Sequence, residues 1–428
     1  MTIKKANLII SNAAELVTLS SHPCLTGRQA RCGVSEMNAL GIINNGAVAI
    51  KNGKIMAVGS SNDILKTYSS RKIIKATGKT VTPGLIDAHT HPIFMGDRAD
   101  EFELKLKGAT YQKIAASGGG IKSTVQKVRR ASKNELKNNA QKYLKRFLSC
   151  GTTTIEAKSG YGLTTNDEIK ILEVIKELSG KPIYPDMVAT FLGAHEIPDE
   201  FKDNKTAYVN LIKTEMIPLV TRKRLAEFCD VFCEKGVFEI DESRQILKSA
   251  VNHKLGIKLH ADEFTRLGGA ELAAEMNATS ADHLMFASDK GLTKMKEKGV
   301  IAVLLPGTTF MLGLKTYAPA RKMIDMGIPV ALATDFNPGT SMTESLPIIM
   351  TIACVMMKMT PAEVLTATTI NAAYAVKREK LIGSLDVNKQ ADIVIWDTPS
   401  YKHIAYHFGV NLIDTVIKKG IVSYSVAV

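Results

Sequence analysis

An α/β fold is predicted for this 428-residue sequence: a TIM-type (β/α)8 barrel with a small β-sandwich-like domain built from both chain ends. Three observations predict it. Short apolar runs alternate with helical patterns over 79–375, strand-and-turn patterns fill 1–78 and return over 376–428, and the polar candidates of the middle region gather at the ends of the apolar runs. A chain of this length also exceeds one ordinary core, so two domains or one large barrel are required.

Over 1–75 the pattern is one of short strands and turns. Its clearest piece is the Gly46–Gly59 run, where two apolar stretches flank Asn52-Gly53, a strong hairpin signal. The first barrel strand is expected over Thr80–Asp87. Ser132-Lys-Asn-Glu135 reads as a capping box opening a helix, with apolar residues at 136, 140, 143, 144, 147 and 148 on one face. Thr152–Ala157 is the next strand, and a helix starts at Thr165-Asn-Asp-Glu168 and stops at Gly180. Further strands are expected at Met187–Leu192, Cys229–Cys233, Ile257–His260, Ser280–His283, Val300–Leu305 and Val330–Thr334, giving eight in all. Beyond 376, Ala391–Trp396 and Thr415–Val422 read as strands again.

Composition narrows the class. Hydrophobic residues make up 45% and charged residues 23%, as in globular proteins. No run of 18 uncharged apolar residues occurs, so no membrane partner is expected. Met1-Thr-Ile-Lys-Lys lacks the apolar core of a secretory signal. The six cysteines (Cys24, Cys32, Cys150, Cys229, Cys233, Cys354) show no pairing framework, which suits a reducing cytoplasm; Cys229 and Cys233 read as buried strand cysteines. The net charge is +13, but its lysines are spread over helices and aromatics are only 6%, so no nucleic-acid partner is expected. That charge would draw an anionic small molecule.

The chemistry-bearing residues follow strands, where a barrel places its active site. In Asp87-Ala-His89-Thr-His91, positions i and i+2 of an extended segment point the same way, so both imidazoles can grip one metal ion. His260, His283 and Asp335 each close a later strand. Three imidazoles and a carboxylate suit zinc, iron or manganese. Glu263, His283 and Asp335 are candidates for moving protons. Four other histidines, His22, His253, His403 and His407, read as surface or core residues.

Further stretches carry a resemblance: Val81–His91, Asp97–Glu103, Ser117–Thr124, Lys158–Gly162, Thr190–His195, Lys258–Glu263 and Thr334–Thr340. Together they resemble the imidazolonepropionases of the amidohydrolase superfamily, from about Ile43 to Ile421. The resemblance implies hydrolysis of a cyclic amide C–N bond, 4-imidazolone-5-propanoate to N-formimidoyl-L-glutamate, in histidine breakdown. It implies one zinc or iron ion per subunit on His89, His91, His260 and Asp335, and a homodimer. It carries substrate contacts onto Arg98, Tyr161, His195 and Glu263, and product contacts onto Asn337, Gly339 and Thr340. Arg98 would then pair with the propionate. Gly118–Gly120 reads as a flexible active-site loop. Some relatives bridge two ions with a modified lysine on the fourth strand; Lys158 comes too early for this, the fourth strand is expected to end at His195, and a single ion follows. Asn388 stands where similar chains commonly carry glycine, Thr340 where serine is as common, and 17–37 is a looser region. A cytosine-deaminase-like or dihydroorotase-like enzyme would use the same metal residues; Arg98, Tyr161 and Asn337 favour an anionic imidazolone.

Overall fold

The computed structural model describes residues 3–20, 30–108 and 119–426. Its strands fall into two large sheets and a two-stranded ribbon. The ribbon pairs β1 (Lys4–Lys5) with β5 (Tyr68–Ser69). One large sheet holds β2 (Leu8–Val17), β3 (Ile42–Lys51), β4 (Lys54–Ser60), β6 (Ile73–Lys75) and β7 (Thr80–Pro83) from one chain end, with β16 (Ile393–Trp396), β17 (Ile413–Lys418) and β18 (Ile421–Ser425) from the other. Their order is β18-β17-β16-β7-β2-β3-β4, with β6 on β2. Asn52 and Gly53, at φ 52° and 74°, make the β3–β4 turn that the sequence predicts. The sheet bends back on itself: the Ala391 N–H donates to the Gly53 carbonyl at 2.8 Å, and Ile10, Val48, Ile50, Ile393, Ile395 and Ile417 fill the space enclosed. The first 75 residues also hold a helix, Ser61–Thr67, capped by Ser60, which the sequence reading lacked.

The other sheet is wholly parallel and runs in chain order: β8 (Leu85–Asp87), β9 (Thr152–Lys158), β10 (Asp186–Ala194), β11 (Phe228–Cys233), β12 (Gly256–Ala261), β13 (Ser280–His283), β14 (Ile301–Leu304) and β15 (Val330–Leu332). Hydrogen bonds just past the strand ends close the circle. The Asp335 N–H donates to His89 C=O at 3.1 Å and the His91 N–H to Phe336 C=O at 2.9 Å. In each strand alternate residues face outward under helices, among them Ile155, Ala157, Val231, Leu259 and Ala281. The helix Lys133–Ser149 keeps its predicted capping box and buries Leu136, Ala140, Leu144, Phe147 and Leu148. Cys229 and Cys233 are buried free thiols, and burial pushes Cys233 up to about 12.

Three readings need correction. The predicted strand Thr415–Val422 is the β17–β18 hairpin, turning at Lys419 and Gly420 with φ 52° and 76°. The predicted strand Thr80–Asp87 is two strands in two sheets. Gly84 marks the crossing: its N–H donates to Asp392 C=O at 2.9 Å, and a Cβ there would lie 2.3 Å from the Thr153 hydroxyl. His195 follows the third barrel strand, not the fourth. Only β8 and β9 precede β10, because helices rather than a strand fill the described part of 99–149. The fourth strand ends at Cys233 and is followed by Glu234 and Lys235, the lysine being exposed. Lys158 closes the second. Asn388 has φ 73°, a left-handed conformation that glycine adopts freely and asparagine tolerates, which accounts for the usual glycine there.

Candidate metal centre and substrate pocket

Strand ends at the C-terminal mouth of the barrel bring His89, His91, His260, His283 and Asp335 into one buried cluster. His89 Nδ1 and Asp282 Oδ2 are 2.6 Å apart, and Asp282 also accepts from the Ser280 hydroxyl at 2.7 Å. With that nitrogen engaged, the His89 Nε2 lone pair faces inward. His91 Nε2 lies 3.3 Å from it, and Asp335 Oδ1 lies 3.5 Å from each. Ligands held at about 2.0–2.2 Å around a tetrahedral first-row ion are spaced about 3.3–3.6 Å apart, so this triangle has a metal site's dimensions. The other Asp335 oxygen accepts from the Thr308 hydroxyl at 2.5 Å. His260 Nδ1 is 3.1 Å from Asp230 Oδ2 but out of hydrogen-bond alignment; the Asp230 carboxylate accepts instead from the His260 backbone N–H at 3.2 Å. Burial holds the His89, His91 and His195 imidazoles well below their ordinary range, with Lys158 adding to it for the first two and neighbouring imidazoles for all three, so each keeps a free lone pair.

Below the cluster the barrel is ionic. Lys158 Nζ lies 2.6 Å from Asp230, 3.0 Å from Glu156 and 3.6 Å from Asp282, and Lys258 Nζ lies 3.0 Å from Glu156, all fully buried. Three carboxylates thus share two ammonium groups. Burial pushes Asp230 up, but Lys158, His260 and the hydrogen bonds it accepts prevail together and keep it well below the carboxylate range. Burial lifts Asp282 to about 6, against the pull of the two lysines. The sequence reading missed Glu156, Asp230, Lys258 and Asp282. The available signal was a charge two residues from its partner inside an apolar strand, as in Glu156/Lys158 and Lys258/His260, which puts both on the inner face.

The residues expected to contact substrate lie around the cluster. His195 stacks on His91 with ring centroids 5.1 Å apart, and Tyr161 lies 5.4 Å from His195. Burial raises the Tyr161 phenol, keeping it protonated. Glu263 Oε2 is 3.5 Å from His283 Nε2. Burial pushes Glu263 well above the carboxylate range, helped by Asp335 and Glu234, and lowers His283 to about 3. Arg98 lies over Gly339 so closely that a Cβ there would sit 1.5 Å from its terminal nitrogen; its Nε is buried without a partner among the described residues. Asn337 is hydrogen-bonded within its own turn. Its Oδ1 accepts from the Gly339 and Thr340 N–H groups at 2.8 Å, and its Nδ2 donates to Asp335 C=O at 2.7 Å and Thr340 Oγ1 at 2.9 Å. The amide is spent on shaping its own loop. His253 ends a helix, and His403 and His407 lie at the exposed helix Lys402–Tyr406, as expected of non-ligands; His22, Cys24 and Gly118 lie outside the described residues.

The comparisons with known proteins bear on this geometry. The model of the amidohydrolase family matches residues 80–422. An imidazolonepropionase from Geobacillus sp. (strain WCH70) is 51% identical over 96% of this chain and 97% of its own. The chain is an amidohydrolase of the imidazolonepropionase family. A relative of this amidohydrolase with the same name, from Brevibacillus brevis, is 50% identical over 96% of both chains. Among solved structures, an adenosine deaminase from Xanthomonas campestris with bound zinc matches 99% of this chain and 94% of its own, at TM-score 0.69 and 16% identity. A 5-methylcytosine deaminase from Klebsiella pneumoniae gives TM-score 0.70 at 15% identity, over 97% of this chain and 98% of its own. At those identities the likeness is one of fold. No helix among the described residues is long and apolar enough to cross a membrane.

Proposed function

We propose that this amidohydrolase opens the ring of 4-imidazolone-5-propanoate with water to give N-formimidoyl-L-glutamate, with one zinc or iron ion per subunit held by His89, His91, His260 and Asp335. The observation that carries the substrate is Arg98 packed onto Gly339. Its buried, unpartnered Nε offers a charged donor for the propionate at one edge of the pocket. A zinc or iron ion in such a site lowers the pKa of bound water and polarises a carbonyl. The chain's own groups do the rest. Tyr161, kept protonated, donates to the ring. His195 presents a lone pair to a ring N–H. Glu263, with its raised pKa, takes the proton from the attacking water and returns it to the departing ring nitrogen. His283, held neutral beside it, accepts a hydrogen bond without adding charge. Asn337 acts through the Gly339 and Thr340 backbone it fixes.

The test is consumption of imidazolone propionate, followed by absorbance, with the product identified by mass spectrometry. Zinc- or iron-loaded enzyme should give formiminoglutamate. A metal-loaded enzyme that does not turn over this substrate overturns the substrate assignment.

We also propose a cytoplasmic homodimer, with neither nucleic acid nor membrane as partner. The helix Leu346–Met357 supports the dimer: it is apolar nearly all round yet leaves Ile348, Val355 and Met356 exposed. Light scattering at micromolar concentration should return twice the chain mass, and a monomer mass would remove the proposal.

A further inference from the structure

The helix Thr165–Leu178 carries a buried carboxylate with no cation beside it among the described residues. This is Glu168, at 1% exposure. Its Oε1 accepts from the N–H groups of Gly162 at 2.8 Å and Leu163 at 2.9 Å, and its Oε2 from the N–H of Gly160 at 3.0 Å. These bonds span the loop between the second barrel strand and its helix. That loop is held in unusual backbone conformations, with Gly160 at φ 113° and Leu163 at φ 55°. It carries Tyr161. The carbonyl of Gly160 also lies 2.9 Å from His195 Nδ1. A carbonyl only accepts, so Nδ1 of the neutral ring must carry the proton and Nε2 must be bare. A Cβ on Gly160 would come within 2.9 Å of that same nitrogen, so the loop and the ring fit at van der Waals contact.

We propose that Glu168 is a positioning residue for the substrate pocket: by binding the N–H groups of Gly160, Gly162 and Leu163 it presents the Tyr161 phenol and, through the Gly160 carbonyl, fixes which nitrogen of His195 holds the proton. The bare Nε2 is the one available to accept from a ring N–H. If the loop relaxes, the carbonyl withdraws and the opposite tautomer becomes accessible, presenting a donor where an acceptor is needed. Glu168 touches no reacting atom in this account. The idea rests on the proposed function for its kinetic readout only, since the ring tautomer is observable without substrate.

The experiment pairs E168Q with E173Q. Glutamine matches glutamate in shape but sets an NH2 group against N–H donors. Glu173 lies on the same helix but pairs with Lys133 and Lys223 at the surface. In zinc-loaded protein, long-range 1H–15N spectra of the imidazoles report the tautomer, with His195 assigned by its loss in H195Q. Wild type and E173Q should show His195 protonated at Nδ1. E168Q should show a mixture, retain its metal, and raise KM at least tenfold with a smaller change in kcat. An E168Q that folds with unchanged KM and an unchanged His195 tautomer overturns the proposal. Arg129 supplies a second handle if E168Q does not fold, since its Nε–H donates to Gly162 C=O at 2.8 Å from the other side of the loop. R129M should shift tautomer and KM the same way by less, and no shift in either counts against the proposal. A wild type inactive on imidazolone propionate, but with a His195 tautomer that still depends on Glu168, would sink the substrate and leave this role standing.

Discussion

The interiors of the two sheets are built on the same alternation of side chains and filled differently, one with aliphatic residues alone and the other with a charged layer beside apolar ones. Inside the sheet made from the chain ends the inward residues are aliphatic: Ile10, Val48, Ile50, Ile393, Ile395 and Ile417. Inside the barrel, Glu156, Lys158, Asp230, Lys258 and Asp282 form a buried charged layer, beside an apolar cluster that includes Ile86, Val188, Phe228, Val303 and Ala331. The aliphatic filling stabilises through burial alone. The ionic filling offsets the cost of removing charges from water only because each carboxylate meets an ammonium or a hydroxyl, and replacing such a network with apolar groups often stabilises a protein. The charges therefore have a use other than stability. Asp282 sets the tautomer of His89, and Asp230 lies against His260, so the network orients candidate ligands.

The largest effect expected is in H260A, which removes a proposed ligand while leaving the ionic layer intact. Metal content by elemental analysis should collapse and turnover should fall to background. Full metal content in this variant would dissolve the distinction between ligand layer and supporting layer.

K158M sharpens the comparison. It leaves three buried carboxylates to one ammonium, and breaking a buried ion network costs about 3–5 kcal/mol. Urea unfolding should register that loss, and chelator competition should show weaker metal binding. I395A in the other sheet should cost a similar ~2–5 kcal/mol by leaving a cavity, with metal affinity and kcat/KM unchanged. Equal losses of metal affinity in both variants would break the comparison.

R98A addresses the pocket edge. Loss of a charged donor to a carboxylate is worth about 1.5–3 kcal/mol, which corresponds to a KM rise of roughly 10- to 160-fold. An unchanged KM would remove Arg98 from the substrate.

Smaller effects test the junction and the outer shell. Asp186, at the start of β10, meets Lys418 at 2.6 Å and Lys419 at 2.9 Å from β17 and the turn after it. Burial pushes its carboxyl up, but the two ammonium groups prevail and hold it below the usual range. A lowered carboxyl stabilises the fold above its unfolded pKa of about 3.9 and loses that contribution as pH falls through the folded value. The stability gap between wild type and D186N should thus be widest near neutrality and close in acid, as followed by thermal unfolding from pH 7 to 3. S132A removes one helix cap and should cost about 1 kcal/mol without altering turnover.

Local pattern made much of this molecule legible. The alternation of apolar runs with helical faces gave eight barrel strands, and the Asn52-Gly53 turn and Ser132 capping box depend only on neighbours a few residues away. The candidate ligands could be read because each ends a strand, and strand ends share one face of a barrel. Other features depend on residues far apart in sequence. Thr80–Asp87 is one apolar run in sequence, and it divides because Asp392 and Thr153 both close on Gly84. The ionic layer joins residues from four strands, and no local window contains a lysine together with all its carboxylates. The product contact at Asn337 is implied by the family resemblance alone, and no local pattern shows that its amide is hydrogen-bonded within its own turn. Sequence by itself determined which residue types line the mouth of the barrel, since period and spacing are local properties. Only the tertiary structure decided which of them hold and which are held, because hydrogen-bond partners are settled when distant strands are brought to within 3 Å of one another.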